Sequence, residues 1–170
     1  MLFRSRNESS LAGGPLENAQ KYSGPKEVAG TATTGGAKAV TGNADAPRIT
    51  LQQRTANHNA YLDDIAGQLR EQGYTVKGNG ARFYDSGGKN YTHTDLVAIR
   101  PNGEPLIIEM KTGGAVNTTR QNQIYPQILT GDALPSRPVA RMLGIKPNVP
   151  LNQQGYPNGI PIYQVTAPGL

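Results

Sequence analysis

The chain has 170 residues, a formal net charge of +5 and no cysteine, so it can build one core but neither a disulfide nor a thiolate metal site. No apolar run approaches the roughly 20 residues that cross a bilayer. The N-terminal sequence MLFRSRNESS also lacks the apolar core of a signal peptide, so we expect neither a membrane helix nor a leader.

Residues 1–49 differ in composition from the remainder of the chain. Between Ser9 and Pro47 the sequence is filled with Gly, Ala, Thr, Ser and Pro, and its apolar side chains are mostly alanine. Such a segment buries too little surface to offset its conformational entropy. We therefore predict a linker or flexible, poorly ordered arm over 1–49 and one domain over 50–170. The alternative is that part of the arm packs against the domain or onto a partner.

The first predicted element is a helix from Thr50 to Gln72. Thr50 can cap this helix, Gln53 completes a capping box, and Gly73 ends it. Residues at three- and four-residue steps form one apolar stripe, namely His58, Tyr61, Leu62, Ile65 and Leu69. For His58 we expect a hydrogen-bonded core or edge histidine, with phosphate contact or proton transfer as the alternative.

Two short strands are predicted after this helix. Tyr74–Lys77 and Ala81–Asp85 contain residues that strands favour, and Gly78-Asn79-Gly80 predicts a turn between them. Asp85 to Asn90 predicts a second turn. Its glycines lack the spacing of a phosphate-binding loop, so we expect no nucleotide site there.

The segment from Tyr91 to Gly113 predicts a β-hairpin. Pro101-Asn102-Gly103 separates two apolar runs and suits a three-residue loop with a bulge. A two-residue turn at Asn102-Gly103 is the alternative, and it would place the carboxylates of Asp95 and Glu109 on opposite faces. The three-residue loop instead pairs Arg100 with Glu104, Ile99 with Pro105, Val97 with Ile107 and Asp95 with Glu109.

This register would bring Asp95, Glu109 and Lys111 together. Directly opposed Cβ atoms lie about 4.5–5.5 Å apart, so the two carboxylates repel unless a divalent cation lies between them. Lys111 follows two residues after Glu109 on the same strand face, where it could stabilise charge on a phosphate or orient water. The alternative is that these are solvated polar residues at the frayed end of a hairpin.

The remainder of the chain predicts a second helix and a proline-rich tail. The helix covers Thr118 to Leu129 with Pro126 as a local flaw, and Gln121 and Tyr125 share one of its faces. The tail predicts an edge strand at Ile160 to Val165. From Thr112 to Pro150, Asp132 is the one acid beside four basic residues that could neutralise a nucleic-acid backbone: Arg120, Arg137, Arg141 and Lys146.

Asp95, followed after thirteen residues by Glu109-Met110-Lys111, resembles the PD-(D/E)xK nuclease superfamily, which has the restriction-endonuclease-like fold. Thr94 stands where that pattern has proline. The continuation from Lys111 is similar to nuclease domains at the C-termini of bacterial polymorphic toxins. It consists of Lys111-Thr112-Gly113-Gly114, Thr118-Thr119-Arg120-Gln121, Tyr125-Pro126, Ile128 and Gly131, and the resemblance covers roughly Thr50 to Asp132.

From the predicted elements and this resemblance we expect an α/β fold with a mixed sheet of four or more strands flanked by helices. The restriction-endonuclease-like core would cover 50–132, and the Pro-rich tail 133–170. The resemblance implies phosphodiester hydrolysis by a metal-activated water, with Mg²⁺, or Mn²⁺ as a substitute, held by Asp95 and Glu109. Lys111 would stabilise the developing charge, and Gln121 is the glutamine that helps to shape such sites.

In this superfamily the first helix often supplies another acidic residue. Asp64 lies at the edge of the apolar stripe and fits that role, whereas Asp63 points to the far side; the alternative for Asp64 is a solvated charge. Nucleic-acid contacts are expected from His93, Arg120 and Tyr125.

The resemblance also implies a biological setting. The same residues cut DNA or RNA, and we favour a DNase that acts as an antibacterial toxin domain. The alternatives are a tRNA-type RNase toxin of the same fold, a catalytically inert nucleic-acid-binding module, and a structural or adaptor protein. A toxin would be exported or injected by a delivery system, act in the cytoplasm of the target cell, and have an acidic cognate immunity protein.

Overall fold

The computed structural model describes residues 16, 18–24, 50–112 and 115–167. They form one six-stranded mixed sheet with helices packed on both faces. The elements in chain order are β1 (Gln20–Lys21), α1 (Leu51–Glu71), β2 (Thr75–Tyr84), β3 (Tyr91–Ile99), β4 (Pro105–Lys111), α2 (Thr119–Thr130), β5 (Leu134–Pro135), α3 (Arg137–Leu143), a 3-10 turn (Leu151–Gln153) and β6 (Ile162–Thr166). The expected α/β class with a mixed sheet is confirmed.

The strand order in the sheet is β1-β6-β4-β3-β2-β5. Neighbouring strands are antiparallel except β4 and β6, which are parallel. The strand predicted near the C-terminus is present as β6, but its predicted edge position is wrong, because the two residues of β1 pair with the outer side of β6. The sheet edge there comes from the N-terminal segment, which sequence periodicity did not identify.

Strand β4 is buried on both faces. Leu106, Ile108 and Met110 belong to the apolar cluster that contains α1, whereas Ile107 belongs to the cluster that contains α2. This alternation is the ordinary period of two in a strand. The next odd position is Glu109, so the carboxylate emerges on the side of α2.

Helix α1 begins and ends as its sequence predicts. The hydroxyl of Thr50 accepts a hydrogen bond from the Gln53 amide nitrogen, and the Gln53 side chain accepts one from the Thr50 nitrogen in return. The backbone of Gly73 has φ +82°, a left-handed conformation that favours glycine. The apolar stripe of α1 packs on the sheet through Leu62, Ile65, Ala66 and Leu69.

The predicted turn at Gly78-Asn79-Gly80 is wrong, because β2 runs through it as one strand. Gly78 pairs with Leu96 and Ala81 with Thr94, so β2 contains one extra residue between these pairs. Gly80 has φ +82°. The two glycines thus permit a bulge, which bends a strand without reversing it. The second predicted turn is confirmed, since the amide of Asp85 donates to the carbonyl of Asn90 at 2.9 Å.

The hairpin of β3 and β4 has the predicted three-residue loop. The amide of Arg100 donates to the carbonyl of Glu104 at 2.8 Å. Gly103, with φ +89°, supplies the left-handed residue that closes this loop. The register pairs Ile99 with Pro105 and Val97 with Ile107, as expected.

Segments near both limits of the described residues contribute to the core. Leu16 and Tyr22 are buried, and the Tyr22 ring meets Tyr125 edge-on at 5.7 Å between centroids. Residues 16 and 18–24 therefore pack against the domain, as the alternative interpretation of the arm expects, while 1–15, 17 and 25–49 lie outside the described residues. From the tail, Leu151 and Ile160 are fully buried.

Candidate active site

The candidate site lies where strands β3 and β4 of the hairpin stop pairing with each other. Pairing between β3 and β4 extends from Ile99↔Pro105 to Leu96↔Ile108. Beyond that point β4 continues beside β6, while β3 continues beside β2. Asp95 and Glu109 are the first residues after the last pair, one on each diverging strand. Carboxylates therefore occupy the position at which the two strands separate.

Glu109 is a buried carboxylate with every oxygen hydrogen-bonded. Its side chain is 5% exposed. Oε1 accepts from Lys111 Nζ at 3.0 Å and from Gln121 Nε2 at 2.5 Å, and Oε2 accepts from Tyr125 Oη at 2.6 Å. A charge removed from water is costly unless it is paired and hydrogen-bonded, and here both conditions are met.

Gln121 connects the start of α2 to this carboxylate. Its Oε1 accepts from the Thr118 amide and from Lys111 Nζ, both at 2.9 Å, while its amide nitrogen donates to Glu109. The Thr118 hydroxyl accepts from the Gln121 amide in return, so Gln121 is the third residue of a capping box. The same side chain thus caps the helix and orients Lys111 and Glu109.

Tyr125 lies one turn further along α2 and is fully buried. Burial, together with the charge of Glu109, raises the pKa of the Tyr125 phenol far above its ordinary value. The hydroxyl therefore remains protonated and donates to Glu109.

Asp95 differs from Glu109 in having fewer donors. Its Oδ2 accepts from the Met110 amide at 2.7 Å and lies 3.7 Å from Nε2 of His58 on α1. Burial and then the charge of Glu109 raise the pKa of Asp95 to about 6, against partial compensation from the Met110 amide, His58 and Lys111. An additional positive charge beside Asp95 would relieve this cost.

Four of the predicted catalytic residues meet here, namely Asp95, Glu109, Lys111 and Gln121. Asp64 does not join them within the part of the chain that the structure describes. It is exposed and accepts a hydrogen bond from Gln68 Nε2 at 2.8 Å. Asp64 lies six positions after His58, a step of about 120° around the helix and about 9 Å along it. The helix therefore presents a histidine to the site instead of an acid.

The residues predicted to contact nucleic acid have different environments. Tyr125 is buried beneath Glu109 and offers no surface to a ligand, so its contact is with the carboxylate instead. Arg120 is exposed and donates to Gln123 Oε1 at 3.2 Å. His93 is exposed and accepts from Arg82 Nε at 3.1 Å.

Sequence reasoning missed the roles of His58 and Tyr125. The position of His58 in the apolar stripe, one turn before Leu62, was a usable signal that it faces the sheet. The spacing of four residues between Gln121 and Tyr125 likewise placed both on one face of α2. Neither spacing could reveal which polar group each side chain would meet.

The two carboxylates of the site suit a magnesium or manganese ion, which needs few ligands from the protein. Among residues 16, 18–24, 50–112 and 115–167, no group of three or more His, Asp or Glu side chains is arranged to hold a metal. Asp95 and Glu109 supply two carboxylates, and Mg²⁺ is commonly held by one or two carboxylates with water and phosphate oxygens completing its shell.

No protein-family model matches this chain, and no curated protein or solved structure shows significant similarity to it. Within the described residues, none of the helices combines the length and the apolar character needed to cross a bilayer.

Proposed function

We propose that this protein is a metal-dependent endonuclease that hydrolyses phosphodiester bonds, with DNA as the favoured substrate. One observation carries the proposal: two carboxylates from diverging strands share a site with a lysine whose Nζ lies 3.0 Å from Glu109. The half-buried Asp95 beside the buried Glu109 has no structural benefit of its own, because burial and the neighbouring charge raise the pKa of Asp95 and so disfavour its ionised form.

The chain's own residues divide the work. Asp95 and Glu109 would hold Mg²⁺, or Mn²⁺ in its place, and a bound ion of this type activates water and polarises a phosphoryl oxygen. Lys111 would stabilise the negative charge that develops on the phosphate, since an ammonium in a partly buried site acts strongly on charge. Gln121 and Tyr125 position Lys111 and Glu109, and His58 lies beside Asp95.

The fold offers coarser support, because a mixed α/β sheet with the acids at one end of a hairpin agrees with a restriction-endonuclease-like core. The role of an antibacterial toxin domain rests on the resemblance of the sequence alone. It implies a cognate immunity protein that blocks the site, and the formal charge of +5 favours an acidic one.

Incubation with plasmid DNA and with total RNA, in magnesium or in chelator, tests the enzyme directly. We expect cutting only with the metal and its loss in both Asp95→Ala and Lys111→Ala. Asp63→Asn, on the far side of α1, is the matched control and should cut normally. Metal-independent cutting, or full activity in both site variants, would overturn the proposal.

The same assay separates the alternatives. Cutting of RNA alone favours the RNase toxin. Nucleic-acid binding in chelator, combined with no cut product in magnesium, favours an inert nucleic-acid-binding module. Expression in a bacterial host tests the toxin role: growth should stop with the wild-type chain and continue with Lys111→Ala. Normal growth with both would contradict toxicity while leaving the nuclease chemistry intact.

A further inference from the structure

A cluster of aromatic and basic side chains, two of them exposed and two half-buried, lies on β2 and β3 beside the candidate active site. Arg82 pairs with His93, and Tyr84 with Tyr91, across the two strands. We call these four residues the aromatic platform. The Tyr91 ring stacks on His93 at 5.5 Å between centroids and meets Tyr84 edge-on at 5.9 Å. The guanidinium of Arg82 lies over the Tyr91 ring at 4.5 Å.

The platform faces solvent rather than the core. Tyr91 is 48% exposed, and among the described residues only Val116 is a more exposed large hydrophobic side chain. His93 is also exposed, whereas the flanking Thr92 and Thr94 are buried. An apolar ring held open to water by its neighbours is a preorganised contact surface, since its geometry is set before any ligand arrives.

The platform continues the strand that carries Asp95. Tyr91 and His93 are the two alternate exposed residues of β3 that precede Asp95, and the buried Thr92 and Thr94 between them face the opposite side of the sheet. At about 3.3 Å per residue, Tyr91 lies about 13 Å along the strand from Asp95. A polymer bound with one unit beside Asp95 would therefore reach the rings further along β3.

The charge of this surface suits a phosphate backbone. Arg82 belongs to the platform, and Lys89 is exposed in the turn that joins β2 and β3. The nearby acid, Asp85, is buried, and its carboxylate accepts from Asn90 Nδ2 at 2.7 Å and from the Lys89 amide at 2.9 Å. The exposed groups are thus rings and cations.

We propose that the aromatic platform binds unpaired nucleotides of the strand that the candidate active site cleaves. A base needs a free face to stack on Tyr91 or His93, and bases within a duplex are already stacked on their neighbours. Arg82 has five N–H groups, more than its contacts with His93 and Tyr84 use, and the remaining ones would contact a phosphate. The inference rests on the proposed nuclease function and narrows its substrate to single strands or to unpaired segments of a duplex.

Binding measured in chelator, where cutting cannot occur, tests the platform apart from catalysis. The probes are fluorescein-labelled oligothymidylate and oligouridylate of about 12 nucleotides, the size range that stacking grooves accommodate, and a blunt duplex of equal length. We expect Tyr91→Ala to weaken single-strand binding by roughly 5- to 150-fold, and Tyr91→Phe, which keeps the ring, to bind as the wild type does. Arg82→Gln should lower the salt dependence by about one phosphate contact, a slope of about 0.7.

Equal affinity of Tyr91→Ala and wild type for both single strands would overturn the inference, as would duplex binding as tight as single-strand binding. Weaker binding of Tyr91→Ala to either probe supports the inference. A loss confined to oligothymidylate or to oligouridylate shows which of the two strands the platform prefers. Thermal melts establish that the variants are folded. Asp63→Asn, outside both the site and the platform, should bind both single strands normally. A wild type that binds them but cuts neither in magnesium would refute the nuclease and leave the binding role of the platform intact.

Discussion

The two ends of the β3–β4 hairpin differ sharply in chemistry. At the turn end, Leu96 to Ile99 pair in register with Pro105 to Ile108, and the side chains of Val97 and Ile107 are fully buried. At the other end this pairing stops, and Asp95, Glu109 and Lys111 follow within three residues of the last pair.

The difference shows how one hairpin serves as both scaffold and site. Apolar residues at the turn end hold the strands together, so the strands can separate at the charged end without unfolding. At that end, Gln121 and Tyr125 of α2 donate to Glu109, the Met110 amide of β4 donates to Asp95, and His58 of α1 lies 3.7 Å from Asp95. Stability and proposed chemistry should therefore respond separately to substitutions that are two residues apart on the same strand.

The largest effect is expected from Asp95→Asn, which keeps the shape of the side chain and removes its charge. Cleavage should fall by at least roughly 100-fold, because the proposed metal ion loses a carboxylate ligand while the fold is retained. Plasmid cutting in magnesium measures it. Substantial activity in this variant would mean that the charged end of the hairpin is not the catalytic one.

Val97→Ala tests the opposite end of the comparison. The fully buried side chain packs between the sheet and α2, so its truncation should destabilise the fold by about 2–3 kcal/mol through lost burial and a residual cavity. Cutting by the folded fraction should stay at the wild-type rate. Urea unfolding and plasmid cutting on one preparation provide both values. A fall in specific activity with unchanged stability would contradict a purely stabilising role for the turn end of the hairpin.

The stability of the protein in chelator should decline as pH rises through the titration of Asp95. Its folded pKa of about 6 lies above its ordinary value of 3.8, so between these values the folded state holds a proton that the unfolded state has released. By linkage, stability falls over this window and then levels off, by an amount on the order of 1–3 kcal/mol.

Urea unfolding of wild type and Asp95→Asn across this window measures the effect. The variant should lack this decline and be the more stable protein at neutral pH. Parallel pH profiles for the two proteins would show that Asp95 ionises in the folded state at no cost.

The two capping boxes provide the smallest and most closely matched comparison. Gln53→Ala should cost about 0.5–1 kcal/mol of stability and leave cleavage unchanged, because that cap is exposed on α1. Gln121→Ala removes the equivalent cap on α2 and also a buried partner of Lys111 and Glu109, so it should cost about 1–3 kcal/mol and reduce cleavage. If the two variants lost equal stability and both cleaved normally, Gln121 would act as a helix cap alone.

Local rules allowed much of this fold to be predicted. Thr50 with Gln53, Gly103 in its loop and the alternation along β4 each depend on groups within a few residues, which the sequence displays directly. The same rules failed at Gly78-Asn79-Gly80, because a bulge and a turn use the same glycines and only the position of β3 distinguishes them.

The gathering of the acids and the lysine follows from local sequence, since the turn sets a register that makes Asp95 and Glu109 the first residues beyond the last β3–β4 pair. Which groups from other elements complete the site depends instead on how those elements dock on the sheet. His58 replaced Asp64 because the rotation of α1 on the sheet sets which side chain meets Asp95, and Tyr125 met Glu109 because α2 packs on that face. Contacts between distant segments depend on how whole elements dock, which no local spacing records.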